Sequence, residues 1–346
     1  MVLSVQYMRA IAAFLVVIHH CAWKGRQYSS DPWGGFTVGE CGVDLFFVIS
    51  GYIMCRATSG RRISFPAFMR ARALRILPLY WLLSLVALGV FLVAPQWVNS
   101  QGGETRILDS FLLWPSGARF LINNGWTLSY EFLFYGIFGL GLLLPGIFRL
   151  GVPMLAIVML VTSARWLPAG NAAVAFLTHP LLLEFAMGMA AYVLLSRTAW
   201  TRAWSYAATL VGAAGLAWVN QHGPLGARPF YYGVPCALLF LGLVGLEEDF
   251  VRQRSAPWSR FLHAIGDSSY SLYLVHSFAL GIGVIALRAV GLTRHGHAFA
   301  LGLAFVSLVA GLACYHGVEQ PLSRFLKRAF APRTVPGGTS IGHRDA

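Results

Sequence analysis

The sequence predicts an all-α fold, a polytopic membrane bundle of about ten transmembrane helices with both termini in the cytoplasm. Three observations carry that expectation. Charged residues make up only 11% of the 346-residue chain, where a soluble domain carries about 25%. Apolar residues reach 57% and the mean hydropathy is +0.64. Apolar runs of bilayer-spanning length recur along the chain, and Lys and Arg gather in alternate connections between them.

A window of roughly 20 apolar residues marks spans at about 3–22, 39–55, 76–94, 126–148, 151–168, 179–197, 204–220, 229–247, 268–290 and 298–317. The first, with Arg9 ahead of an apolar core, resembles a signal peptide, but apolar segments continue to residue 316, so it reads as a retained span. The second contains Gly42 and Gly51, which permit close helix approach. Ahead of the third lies a basic segment, FPAFMRARALRILPLYW from Phe65 to Trp81. Residues 107–114 read as a re-entrant or interfacial piece within the long 95–125 connection. The positive-inside rule places Arg9, the Arg56–Arg75 cluster, Arg149, Arg197, Arg202, Arg252, Arg254, Arg260 and the C-terminal basic residues in the cytoplasm. Lys24, Arg26, Arg106, Arg119, Arg165, Arg228, Arg288 and Arg294 fall elsewhere. The expected organisation is one transmembrane domain over residues 1–330 and a Pro/Gly-rich, disordered cytoplasmic tail over 331–346, in a bacterial inner membrane. Neither a second soluble domain nor an internal repeat is visible.

A net charge of +13 raises nucleic acid as a partner, but the basic residues form short clusters between apolar runs with no interleaved aromatic domain, so nucleic acid is excluded. Anionic membrane lipid and a phosphorylated ligand fit better. The five cysteines show no metal spacing and read as small apolar residues, although Cys21 and Cys41 fall on one side of the membrane, which leaves a pairing open. No metal is expected. There is no Walker A loop or HExxH motif, which argues against ATP hydrolysis and zinc proteolysis.

An ionisable group inside a span is costly enough to be a functional candidate. Arg9 and His20 are eleven positions apart, so they share a helix face at an axial separation of roughly 16 Å. His19 points about 100° away; the plain alternative for His20 is that it ends the span at the outer interface. Asp44, in GECGVDLFFVISGY, enters the second span at a depth similar to His20, where it either orients the imidazole or sits in headgroup water. Glu131, in WTLSYEFLFYGIF, lies about 7 Å below the outer boundary and needs a partner if packed in the bundle. Arg72 and Arg75 are neighbours on one helical face, and guanidinium forks suit phosphate. SSYSLYLVH brings Tyr270, Tyr273 and His276 into the inner half of the ninth span. Tyr270 and His276 are placed with a donor site; for His276 the alternative is a hydrogen bond to a neighbouring helix. Glu319 closes the tenth span, with a helix-end salt bridge to Arg324 expected.

Taken in order, SVQYMRAIAAFLVVIHH, GVDLFFVISGY, RALRILPLYW, WTLSYEFLFY, SYSLYLVH and VEQP resemble the acyltransferase-3 family of membrane acyltransferases, in particular its stand-alone exopolysaccharide O-acetyltransferases. The resemblance runs from Ser4 to about Pro321. It implies O-acyl transfer from acetyl-CoA or another acyl-CoA to a glycan or lipid-linked sugar. It also implies a catalytic role for His20, donor handling by Arg9, Arg72 and Arg75, and an acidic position at Glu131. Some relatives carry an extra extracytoplasmic esterase-like domain that is not visible here, so either this chain completes the transfer or a partner in polysaccharide assembly does. A homodimer is left open.

The resulting expectation is a single cavity running from the cytoplasmic arginines, which hold the donor phosphates, to His20. There His20 acts as general base or transient acyl carrier, oriented by Glu131 or Asp44. The competing class is a glycan or small-molecule transporter or flippase with an intramembrane His/Glu/Arg relay. A sensor or scaffold is a third reading that no motif supports.

Overall fold

The computed structural model describes residues 2–28, 33, 36–98, 102–168 and 170–330; the expected tail at 331–346 lies outside the described residues. Among these the chain is helical throughout, its one β feature an isolated bridge between Thr105 and Arg119. The principal helices are α1 (Leu3–Tyr28), α2 (Cys41–Thr58), α3 (Phe65–Val93), α4 (Gly125–Gly141), α5 (Phe148–Ser163), α6 (Leu182–Arg197), α7 (Arg202–His222), α8 (Val234–Gly245), α9 (Pro257–Ala289), α10 (Gly296–Cys314) and α11 (Gln320–Ala329).

Six segments among the described residues are long and apolar enough to cross a membrane: Leu3–Tyr28, Val38–Thr58, Phe65–Val93, Ala172–Arg197, Pro257–Ala289 and Gly296–Ala329. Phe148–Ser163 and Pro229–Gly245 are shorter apolar helices. Every predicted apolar stretch is largely helical, yet several are too short or too polar to be read as spans from length and composition alone. The basic segment ahead of the third span is itself helical, so α3 starts at Phe65 and runs through Pro78. The 107–114 piece is a short helix, Ile107–Leu112, ended by Leu113 in a left-handed conformation with φ 54°.

Helix α2 is the axis of the bundle. It packs on α1 along one side and on α6 along another, while α1 packs on α9 and α10, and α7 pairs with α8. The α2–α6 crossing is set by two glycines: a Cβ on Gly51 would overlap the Phe185 carbonyl, and one on Gly188 would overlap the Val48 carbonyl. Without side chains at these points the two backbones touch, the small-residue packing that replaces a hydrophobic driving force inside lipid. Buried aromatic rings extend the contact, with Phe185 stacked between Phe47 at 4.4 Å and Phe134 at 4.3 Å between centroids. The chain thereby brings α1, α2, α3, α4 and α9 around one polar space.

Candidate functional site

That space is a cavity of about 200 Å³, walled by Arg9 from α1, Phe46 and Ser50 from α2, Arg72 and Arg75 from α3, Thr127 and Glu131 from α4, and Tyr270 and Tyr273 from α9. Five helices far apart in sequence thus contribute three guanidinium groups and one carboxylate to a mostly apolar wall. Such a concentration of charge in a membrane bundle makes this cavity the candidate functional site.

Each charged group is held by a specific contact. Arg9 Nη1 donates to Gln6 Oε1 at 3.0 Å. Arg75 Nη1 donates to Glu319 Oε1 at 2.9 Å, and Ser271 donates to the other oxygen of Glu319 at 2.6 Å. Glu319 ends a π-helical turn, Tyr315–Glu319, between α10 and α11; such turns recur at functional sites because the extra residue re-aims a side chain. The expected Glu319–Arg324 bridge does not form: Glu319 is turned inward, and Arg324 bonds Gln320 instead at 2.9 Å. Arg72 lies near the Phe68 ring, and its buried Nε has no hydrogen-bond partner. Glu131 Oε1 accepts from Ser50 at 2.9 Å and from the Tyr135 hydroxyl at 2.7 Å. Tyr270 donates to the Ile76 carbonyl at 2.8 Å and lies under Arg75.

His20 does not line this cavity, so the expected continuous passage is interrupted. The cavity wall ends at Tyr273, whose ring lies 5.9 Å from Phe46 and 6.0 Å from His276; the His276 ring in turn lies 5.0 Å from His20. His276 was expected with the donor and instead stands behind Tyr273, fully buried beside His20. Both rings are fixed through Nδ1, His20 on the Val16 carbonyl at 2.8 Å and His276 on the Tyr273 carbonyl at 2.8 Å. A carbonyl only accepts, so Nδ1 carries the hydrogen and the neutral ring presents its lone pair at Nε2. His276 Nε2 is buried with no hydrogen-bond partner.

Asp44 is fully buried, but its partner is Arg228 rather than a histidine. Arg228 donates to both its oxygens, Nε at 3.1 Å and Nη2 at 2.8 Å, and reaches Glu40 at 3.3 Å. Such a fork-to-carboxylate pair engages both Asp44 oxygens and directs the carboxylate to Arg228 instead of His20. The backbone of α1 takes that role for His20. Glu184, on α6, was overlooked although a lone acid in an apolar run is the signal that found Glu131; both its oxygens are buried beside Asp44 and Arg228. All five cysteines are free, so Cys21 and Cys41 do not pair.

Comparison with known proteins gives this geometry a context. The chain is 34% identical over 319 residues to the exopolysaccharide production protein ExoZ of Rhizobium meliloti (strain 1021), covering 87% of this chain and 94% of that protein. It is 27% identical over 371 residues to the acyltransferase MdmB of Streptomyces mycarofaciens, covering 96% and 94%. No solved structure matches. The acyltransferase domain family matches residues 2–316, a range that takes in every wall of the cavity. This multi-pass membrane protein belongs to the acyltransferase-3 family.

Proposed function

We propose that the protein is a bacterial inner-membrane O-acyltransferase, most simply an O-acetyltransferase, that moves an acyl group from cytoplasmic acyl-CoA to a hydroxyl of an exopolysaccharide or lipid-linked glycan. The single observation that carries this reading is the convergence of Arg9, Arg72, Arg75 and Glu131 on one cavity inside a membrane bundle. Three cations in an apolar wall suit an anionic ligand with an apolar arm, and a thioester donor with phosphate groups is such a ligand. Arg72, with its unpartnered Nε, is the cation least committed to the protein. Both termini are then cytoplasmic, and the cavity mouth near Arg75 faces the donor.

In this reading His20 is the general base. Its Nε2 takes the proton of the acceptor hydroxyl as the oxygen attacks the thioester carbonyl; the carbon–sulfur bond then breaks, and the thiolate leaves with that proton. For the acyl carbon to reach His20, the Tyr273 ring at the cavity end must move aside when the donor enters, so the closed wall is the resting state. His276 lies against both Tyr273 and His20, where it registers that movement. Glu131, held by Ser50 and Tyr135, supplies negative charge in the wall rather than a direct contact with His20.

The test is incubation of purified protein in detergent with labelled acetyl-CoA and an oligosaccharide acceptor. Transfer of label to the acceptor is expected, along with loss of transfer in His20→Ala at unchanged membrane insertion. Full activity in that variant would remove His20 from the reaction.

A further inference from the structure

A second recess opens beside the cavity, at the same end of the bundle. It measures about 690 Å³ and is lined by the start of α1, the α8–α9 connection, the first turns of α9 and the π-helical turn before α11. We propose that this recess holds the 3′-phosphorylated adenosine end of the acyl-CoA donor, with Arg254 and Arg260 as ligands of that phosphate, while the diphosphate stays with the cavity arginines. The inference rests on the acyl-CoA reading above and deepens it.

Size comes first. Ligand sites for molecules of drug size run to about 300–1,000 Å³, so a 200 Å³ cavity accommodates the acyl group and part of a flexible arm but not a nucleotide as well. The recess lies within that range.

Adjacency comes second. The two spaces lie on either side of one wall. Gln6 bonds Arg9, in the cavity, and also Asp267, in the recess. Glu319 holds Arg75 while its chain neighbour Gln320 lines the recess. Along α9, Arg260, His263 and Asp267 face the recess, and Ser269, Tyr270 and Tyr273 face the cavity. From Arg260 to Tyr273 the helix rises about 20 Å, a reach suited to an extended pantetheine arm.

Charge comes third. The two acids in the recess are already committed: Glu247 accepts the Leu3 and Ser4 backbone N–H groups at 2.7 and 2.8 Å, at the positive end of α1, and Asp267 is held by Gln6 and by His263 at 3.3 Å. Among the described residues the Arg254 and Arg260 guanidinium groups have no carboxylate partner, so they are the cations left for a ligand. The same chemistry would suit the phosphate of a lipid headgroup, and the experiment separates the two sources.

The probes are acetyl-CoA, acetyl-dephospho-CoA, which lacks the 3′-phosphate, and acetyl-pantetheine, which lacks the nucleotide, tested with wild type and the Arg254→Gln/Arg260→Gln double variant in nanodiscs. For wild type, KM is expected to rise about tenfold or more on losing the 3′-phosphate, the scale of one lost charge-assisted hydrogen bond, with kcat little changed. The variant is expected to show the raised KM with acetyl-CoA, to lose its preference over the dephospho donor, and to match wild type with acetyl-pantetheine. Adenosine 3′,5′-bisphosphate, titrated calorimetrically, is expected to bind wild type and not the variant.

Wild-type turnover of acetyl-CoA with an unaltered preference in the variant would overturn the recess assignment and leave the acyltransferase reading standing. Dependence of the variant's defect on anionic lipid in the nanodisc would assign the arginines to headgroups and likewise overturn it. Neither turnover of any thioester nor binding of the bisphosphate by wild type would bring down both.

Discussion

Replacing Arg228 by methionine isolates the role of Asp44. The substitution keeps the stem volume and removes the two donors that face the carboxylate at 3.1 and 2.8 Å. Asp44 has no exposed surface and Arg228 is 24% exposed, so water replaces the lost donors poorly. Stranding one partner of a buried ion pair costs about 3–5 kcal/mol. The Glu40 contact at the half-exposed rim adds at most about 1 kcal/mol. At 3 kcal/mol the ratio of folded to unfolded protein falls by more than about a hundredfold. The assay is thermal unfolding in one detergent of wild type, Arg228→Met, Asp44→Asn and the double variant. Arg228→Met is expected to be the least stable of the four. The double variant is expected to recover most of the loss, because it removes the Asp44 carboxylate that the single variant strands without donors. Acyl transfer is expected to return with stability in the double variant, since Asp44 does not touch His20. An Arg228→Met protein as stable as wild type, or a double variant no more stable than the single one, would refute the reasoning.

Three further outcomes are expected. Tyr135→Phe removes one of the two hydrogen bonds to Glu131, worth about 1.5–3 kcal/mol for a charged acceptor; transfer should drop about tenfold or more in rate assays with no loss of yield, and an unchanged rate would show that Glu131 needs only Ser50. Gly188→Leu drives a side chain into the Val48 carbonyl, an overpacking that costs about 1–3 kcal/mol or more; a lowered melting temperature is expected, and wild-type stability would mean that α6 can shift away from α2. Tyr273→Ala removes the ring at the end of the cavity, so competition between acetyl and butyryl donors should shift toward the longer chain, and an unshifted preference would mean that the acyl end does not pass Tyr273.

The cavity was largely legible because burying a charge in an apolar run is so costly that few residues do it. Arg9 and Glu131 stand out on that ground, Arg72 and Arg75 as neighbours on one helical face of a basic segment, and all four meet in one wall. Their partners were not legible. Asp44 and Arg228 are 184 positions apart, Arg75 and Glu319 are 244 apart, and hydropathy carries no information on which distant helices touch. Arg9 and His20 both lie on α1, but a common helix does not guarantee a shared cavity. Bulky rings on α2 and α9 fill the intervening level. His276 was misplaced because helix periodicity gives an angle about the α9 axis and not the identity of the neighbour, which is α1 at the level of His20. The start of α3 was set too late because Arg70, Arg72 and Arg75 lower the hydropathy of residues that are nonetheless good helix formers.

Backbone contact between α2 and α6 has a mechanical consequence for the enzyme. With no side chains between them at Gly51 and Gly188, the two helices cannot slide or rotate past one another without steric overlap, so Phe46 and Ser50 form a fixed jaw. Helix α3 is the opposite case: only 28% of its most apolar window is buried, against 72% for the segment containing α2. Admission of a ligand larger than the resting volume therefore falls to the α3 side, where Arg72 and Arg75 ride on a helix that surrenders little packing when it swings outward.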